Sequence, residues 1–175
     1  YRDIIRINAK NGFPYDEIID EFKGKSRSIV ITDDDIDEFL KCTYGKQDTL
    51  SVLMLLYPSL DFNNIFHEDH IYPKSKFTSS YLKKKNIPDD KIYEYKSVVN
   101  DISNLQLLSS TLNEEKSNTD FDVWFEKNFT NEVDKSEMKK RHYLPDFEHY
   151  TYDVFLDFIE KRKQLLKTEL EKILK

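Results

Sequence analysis

The sequence predicts a mainly helical α+β domain in which two short strands and the helix after them are set among longer helices. Three observations point there. Apolar residues recur at three- and four-residue spacing over most of the chain. That period breaks between residues 60 and 110, where two short apolar runs bounded by polar residues read as strands. Phe, Tyr and Trp make up 14 % of the 175 residues, a density that buries enough surface to offset chain entropy and argues against disorder.

Taken in order, "PYDEIIDEF" (14–22) places Ile18, Ile19 and Phe22 on one helical stripe. "TDDDIDEFLKC" (32–42) opens with a Thr or Asp cap followed by acids, which suit the positive end of a helix dipole. "KQDTLSVLMLLYP" (46–58) is apolar over most of its surface and stops at Pro58, and is expected to be the central buried helix. "NIFHEDHIYP" (64–73) and "NDISNLQLLSS" (100–110) are the two strands, joined by a long loop. Thr111 and Glu114 then form a T-x-x-E capping box, with Asn113 in the first helical turn and Lys116 on the same face three residues on. The clearest helix closes the chain: Phe155, Phe158, Ile159, Arg162, Leu165, Leu166, Glu169, Leu170 and Ile173 share one amphipathic stripe. One domain is expected, with an N-terminal helical part (1–58), a strand–strand–helix region (60–128) and a C-terminal helical part (132–175). The chain opens on Tyr1 rather than Met, as a piece of a longer chain does.

Composition narrows the function. A single cysteine, Cys42, excludes a disulfide framework and a Cys-rich zinc site and fits a reducing cytoplasm. Three glycines leave no phosphate loop: neither GxGxxG nor GxxxxGK occurs. No apolar run approaches a membrane span, and no signal peptide is recognisable. The net charge of −6 hides local contrast, acidic in "ITDDDIDEF" (31–39) and basic in "PKSKFTSSYLKKKN" (73–86) and "MKKRH" (138–142). Local patches and bound cations, rather than net charge, decide phosphate binding.

Two of the four histidines fall in "FHEDHIYPK" (66–74). In a strand, neighbouring side chains point to opposite faces. His67 and His70 therefore part company, and so do Asp69 and His70 unless the chain bends after Asp69. His142 and His149 lie apart and read as ordinary surface or helix-packing residues.

The order is what matters: Asp69-His70 ending one strand, Asn104 beginning the next, and Asn113 opening the following helix. This resembles the His-Asn-His (HNH) endonuclease motif, a ββα-metal finger, carried by "DHIYP", "NLQLL" and "LNEEKSN". More narrowly, "HEDHIYPKSKF…NDISNLQLLSSTLNEEKSN" followed by "FLDFIEKRKQLLKTEL" is similar to the C-terminal nuclease domain of GmrSD-type, modification-dependent (type IV) restriction enzymes. Ser103 stands where relatives often carry Gly.

That resemblance implies a metal-dependent DNA endonuclease of bacterial anti-phage defence, acting in the cytoplasm. It implies His70 as general base, Asp69 and Asn113 as metal ligands, and Asn104 bonding backbone across the ββ loop to hold His70. The chemistry is compatible: a neutral His takes a proton near pH 7, and hard oxygen ligands suit Mg²⁺ or Mn²⁺. His67 has three roles open to it: a soft metal ligand, a phosphate contact, or surface decoration. Lys74, Lys76, Lys116 and Asn118 are expected to meet DNA phosphate. The resemblance also implies a ParB-like NTPase part upstream and a DNA substrate, modified or plain. Two other readings stay open: a structural zinc site on His67 and His70, and a degenerate finger that binds nucleic acid or protein without cutting.

Overall fold

Short polar side chains set where several helices begin. In the computed structural model, which describes residues 15–22, 31–58, 60 and 64–174, helix α1 (Tyr15–Phe22) is followed by α2 (Asp33–Phe39). Thr32 caps α2: its Oγ1 accepts from the Asp35 N–H at 3.3 Å, and Asp35 Oδ2 accepts from the Thr32 N–H at 2.8 Å. This reciprocal box satisfies two donors that a helix start leaves orphaned. Residues 1–14, the start of the expected N-terminal helical part, lie outside the described residues.

Helix α3 (Gln47–Leu56) forms as expected but is not the buried centre. Val52, Leu53 and Leu56 are inside, whereas Leu50, Met54 and Leu55 remain 44 %, 38 % and 39 % exposed. An all-round apolar sequence does not bury a helix whose partners, among the described residues, lie on one side.

Strands β1 (Phe66–His70) and β2 (Leu105–Ser109) pair antiparallel, with Phe66 opposite Ser109, Asp69 opposite Gln106 and His70 opposite Leu105. Both are shorter than the apolar runs that announce them. The link between them is not the expected loop. It holds a 3₁₀ turn (Lys74–Lys76), helix α4 (Ser79–Lys84, capped by Thr78), a second turn (Asp89–Lys91) and helix α5 (Ile92–Val98). Each helix is under two turns and buries only a residue or two, Leu82 from α4 and Ile92 and Tyr95 from α5, too few to print a helical period on a Lys-rich sequence.

A third 3₁₀ turn (Ile102–Asn104) leads into β2, and helix α6 (Ser110–Lys116) starts immediately after that strand. The expected Thr111–Glu114 box is absent. Ser109 occupies the cap position without a side-chain bond, and the Ser110 N–H is taken by the Ile65 carbonyl at 3.2 Å. Tertiary contact with the segment before β1 replaces the local cap. Helices α7 (Phe121–Asn128), α8 (Glu132–Arg141, capped by Asn131) and α9 (Phe155–Leu174) complete the chain. Among the described residues, no helix is long and apolar enough to cross a membrane.

The hairpin lies between two apolar clusters. Leu108 belongs to the first, with Ile71, Tyr72, Phe121, Trp124, Phe125, Phe155 and Phe158. Leu105 and Leu107 belong to the second, with Ile36, Leu53, Leu56, Leu166 and Leu170. Helix α9 spans both, its Phe155, Phe158 and Ile159 in one and its Leu166 and Leu170 in the other. Leu165 and Ile173, expected on the same stripe, sit at its edge, 41 % and 39 % exposed.

Arg162 lies between these groups on α9 and is fully buried. Its Nε donates to the His142 carbonyl (3.1 Å) and its NH1 to the carbonyls of Ile102 (3.2 Å) and Ser103 (2.9 Å). Burial pulls its pKa down to about 10, so it stays charged at neutral pH. The long helix is thereby tied to the turn that delivers β2. Ser103 itself is buried and does not adopt a positive φ, so the absence of Gly there strains nothing.

Candidate active site

The pleat of β1 divides the polar cluster. His67 and Asp69 face α6, and Glu68 and His70 face the segment joining α2 to α3. Asp69 Oδ2 accepts from Gln106 Nε2 across the ladder at 2.9 Å and pairs with Lys116 Nζ at 3.0 Å; Oδ1 lies 3.3 Å from the same ammonium. Lys116 is fully buried and also donates to the His70 carbonyl at 2.6 Å. Burial pulls its pKa below the usual lysine value, with Asp69 pulling the other way. His67 is exposed, its Nε2 3.1 Å from Ser110 Oγ.

On the other face, His70 Nε2 lies 3.0 Å from Asn100 Oδ1. A carbonyl oxygen only accepts, so Nε2 carries the proton and Nδ1 presents its lone pair. Burial holds the His70 pKa below the ordinary value, with the Asn100 bond and Asp69 acting against it. The ring is therefore neutral at pH 7. The Tyr44 ring packs on it with centroids 4.4 Å apart, and Lys74 Nζ lies 6.0 Å from the Tyr44 centroid.

The chain around Tyr44 is stitched to the β2 approach. Tyr44 N–H donates to the Asn100 carbonyl (2.8 Å), Ile102 N–H donates to the Cys42 carbonyl (3.0 Å), and Thr43 bridges Asp101. Gly45, at φ +77, turns its N–H onto Glu68 Oε1 at 3.3 Å. That left-handed φ is what a side chain would resist there. Burial in turn raises the Glu68 pKa.

Asn104 is wholly buried at the end of the 3₁₀ turn before β2, beside the chain that leaves β1. Its Oδ1 accepts from the Tyr72 N–H (2.9 Å), and its Nδ2 donates to the carbonyls of Tyr72 (3.1 Å) and Val99 (2.8 Å). Its own carbonyl accepts from the Ile71 N–H at 2.7 Å. Three of these four bonds fix the two residues that follow His70, and the fourth ties them to the end of α5.

With this geometry in place, comparison with protein families matches residues 20–169 to the C-terminal domain of the GmrSD restriction endonucleases. The chain belongs to that family. At this level the GmrSD C-terminal domain is the nuclease part of a restriction enzyme. A search of curated proteins finds no match.

The fold of this GmrSD domain brings Asp69, His70, Asn104 and Asn113 to the hairpin and its helix, with Asp69 and His70 on opposite faces. Lys116 requires correction: a wholly buried ammonium held by Asp69 is not placed to contact DNA phosphate. Lys74 is exposed, and Lys76 is half-buried with its Nζ 5.0 Å from the Tyr81 ring centroid; neither has a carboxylate partner among the described residues. Asn118 is exposed just past α6. His142 is buried, its Nδ1 3.1 Å from Tyr57 Oη, whereas His149 is exposed near Asp122.

Asn100, Tyr44 and Gln106 escaped sequence reasoning. Gln106 left the clearest signal, a lone amide inside the apolar "NLQLL" strand, where a polar side chain needs a partner across the ladder.

Among the described residues, no group of three or more His, Cys, Asp or Glu is arranged to hold a metal. A closed zinc cage does not fit this donor set. What does fit is a cation that keeps most of its waters. Asp69 Oδ1 has only the longer Lys116 contact, and the half-exposed Asn113 side chain makes no hydrogen bond among the described residues. Two hard oxygen donors of this kind suit Mg²⁺ or Mn²⁺.

Proposed function

We propose that this domain hydrolyses DNA phosphodiester bonds with the help of a divalent cation, as the cutting part of a bacterial anti-phage restriction enzyme acting in the cytoplasm. The observation that supports it most is the placing of His70: half-buried against Tyr44, its Nε2 held by Asn100 so that Nδ1 presents a lone pair, and next in sequence to the Asp69 carboxylate.

In this reading His70 Nδ1 takes a proton from water, and the water oxygen attacks phosphorus. The bond from phosphorus to the 3′ oxygen breaks, and that oxygen leaves as a hydroxyl after gaining a proton from solvent. Asp69 and Asn113 would hold Mg²⁺ or Mn²⁺, which when bound supplies charge compensation for the phosphate and the leaving oxygen. Asn104 keeps the His70 backbone in place. Lys74, Lys76 and Asn118 take DNA phosphates, and His67, exposed on the Asp69 face, is a further donor at the rim of the metal position. Recognition of modified DNA and nucleotide dependence belong to a ParB-like NTPase part of the longer enzyme.

The non-cutting alternative draws on one observation, the Lys116 ammonium already paired with Asp69. Plasmid cleavage by the purified domain with Mg²⁺ or Mn²⁺ separates the two. His70→Ala is expected to retain DNA binding while cleavage falls by on the order of 10²–10⁴. Parent-like cleavage by His70→Ala together with an inert His67→Ala would give the base to the other histidine. No cleavage by the parent with either metal would favour the binding module.

A further inference from the structure

We propose that Lys116 is a positioning residue with a second duty: its ammonium stands in as the cation at Asp69 and keeps divalent metal loosely held until DNA arrives. This rests on the metal-dependent reading above. It starts from an oddity of burial. Lysine is almost never wholly buried unless paired, because removing an ammonium from water costs several kcal/mol. Lys116 is wholly buried, and among the described residues its one carboxylate partner is Asp69, at 3.0 Å and 3.3 Å.

The pairing is mutual. The Asp69 side chain is only 11 % exposed, and its other donor is the neutral Gln106 amide. That amide is also wholly buried, and among the described residues its Oε1 has no partner, so its orientation is set by the carboxylate. Asp69 is therefore aimed by neighbours that are themselves enclosed. Through the 2.6 Å bond to the His70 carbonyl, the same ammonium also fixes the backbone of the next residue.

A divalent ion approaching the freer Oδ1 meets that fixed positive charge a few ångströms away. Charges at such range inside a protein repel strongly, and each tenfold in affinity is only about 1.4 kcal/mol. A DNA phosphate entering with the ion restores the balance, so metal loading becomes conditional on DNA.

Lys116→Met keeps the length and apolar stem but deletes the charge. The readings are Mn²⁺ affinity of the DNA-free protein, by electron paramagnetic resonance, and the thermal midpoint with and without Mn²⁺. The variant is expected to bind Mn²⁺ at least about tenfold more tightly than the parent. It should melt lower without metal, regain midpoint on adding Mn²⁺, and cleave more slowly. A merely structural role predicts the reverse, since a disordered Asp69 binds metal less well. Equal or weaker Mn²⁺ binding, or no extra recovery of the midpoint, overturns the proposal. Lys116→Gln, which keeps a donor for the His70 carbonyl, is judged by the same two readings should Lys116→Met fail to fold. If the parent never cleaves yet the metal readings hold, the hydrolytic reading fails and this one stands. If His70→Ala abolishes cleavage while Lys116→Met leaves Mn²⁺ affinity unchanged, the opposite holds.

Discussion

Truncating Asn104 to alanine removes three side-chain hydrogen bonds at one wholly buried point. The Tyr72 N–H, the Tyr72 carbonyl and the Val99 carbonyl all lose their partner. A typical hydrogen bond contributes about 1 kcal/mol net, but a buried group left unmade costs roughly 1–3 kcal/mol. A water entering the vacated space would recover part of that. The expected loss is therefore about 3–5 kcal/mol, at least about a fifth of the stability of an ordinary domain. With a urea dependence of roughly 2 kcal/mol per molar, the denaturation midpoint should fall by about 1.5–2.5 M. Asn104→Asp should lose no less at neutral pH, since it sets a carboxylate oxygen against two carbonyls. The assay is urea unfolding at pH 7 followed by circular dichroism. A loss below about 1 kcal/mol with an unchanged slope would refute the claim that this side chain holds the turn behind His70.

Stability should also depend on the His142 ring. Burial, helped by Arg162 and Arg141, pushes its pKa down to about 3, so below pH 6.5 the unfolded chain takes a proton that the folded one refuses. Stability then falls with falling pH by up to about 1.4 kcal/mol per unit, and His142→Gln should lose about 1.6 kcal/mol less than the parent between pH 6.5 and 5 in paired thermal melts. Replacing Lys74 and Lys76 together by alanine should weaken DNA binding alike for all sequences and lower the log–log salt slope by up to about 2, measured by fluorescence anisotropy across salt concentrations.

The chain announced its hairpin plainly, because "IFHEDHIY" and "LQLLS" are β-prone runs between turn residues, and strand alternation alone separated Asp69 from His70. Asn104 was legible for the same reason: an Asn heading a strand has backbone groups within reach. Lys116 was not. Its helical spacing from Asn113 says that the two are neighbours on α6, but only packing decides that residue 113 is half-exposed and residue 116 lies under the strand. Arg162 stood visibly on an apolar stripe, yet its reason is three carbonyls from separate stretches of chain. The helices between the strands were hidden by brevity. The exposed side of α3 was hidden because an apolar residue carries no mark of which way it will face.

The hairpin's place between two clusters has a consequence for the cell that makes this protein. One cluster takes Phe155 and Phe158 from α9, the other takes Leu166 and Leu170, and Arg162 ties down the turn before β2. A nascent chain whose residues 155–174 are still inside the ribosome has made every residue of the proposed catalytic set but lacks the side of both clusters, and the arginine, that would brace the hairpin from behind. On the proposed function, the blade is firm only once the handle is in place.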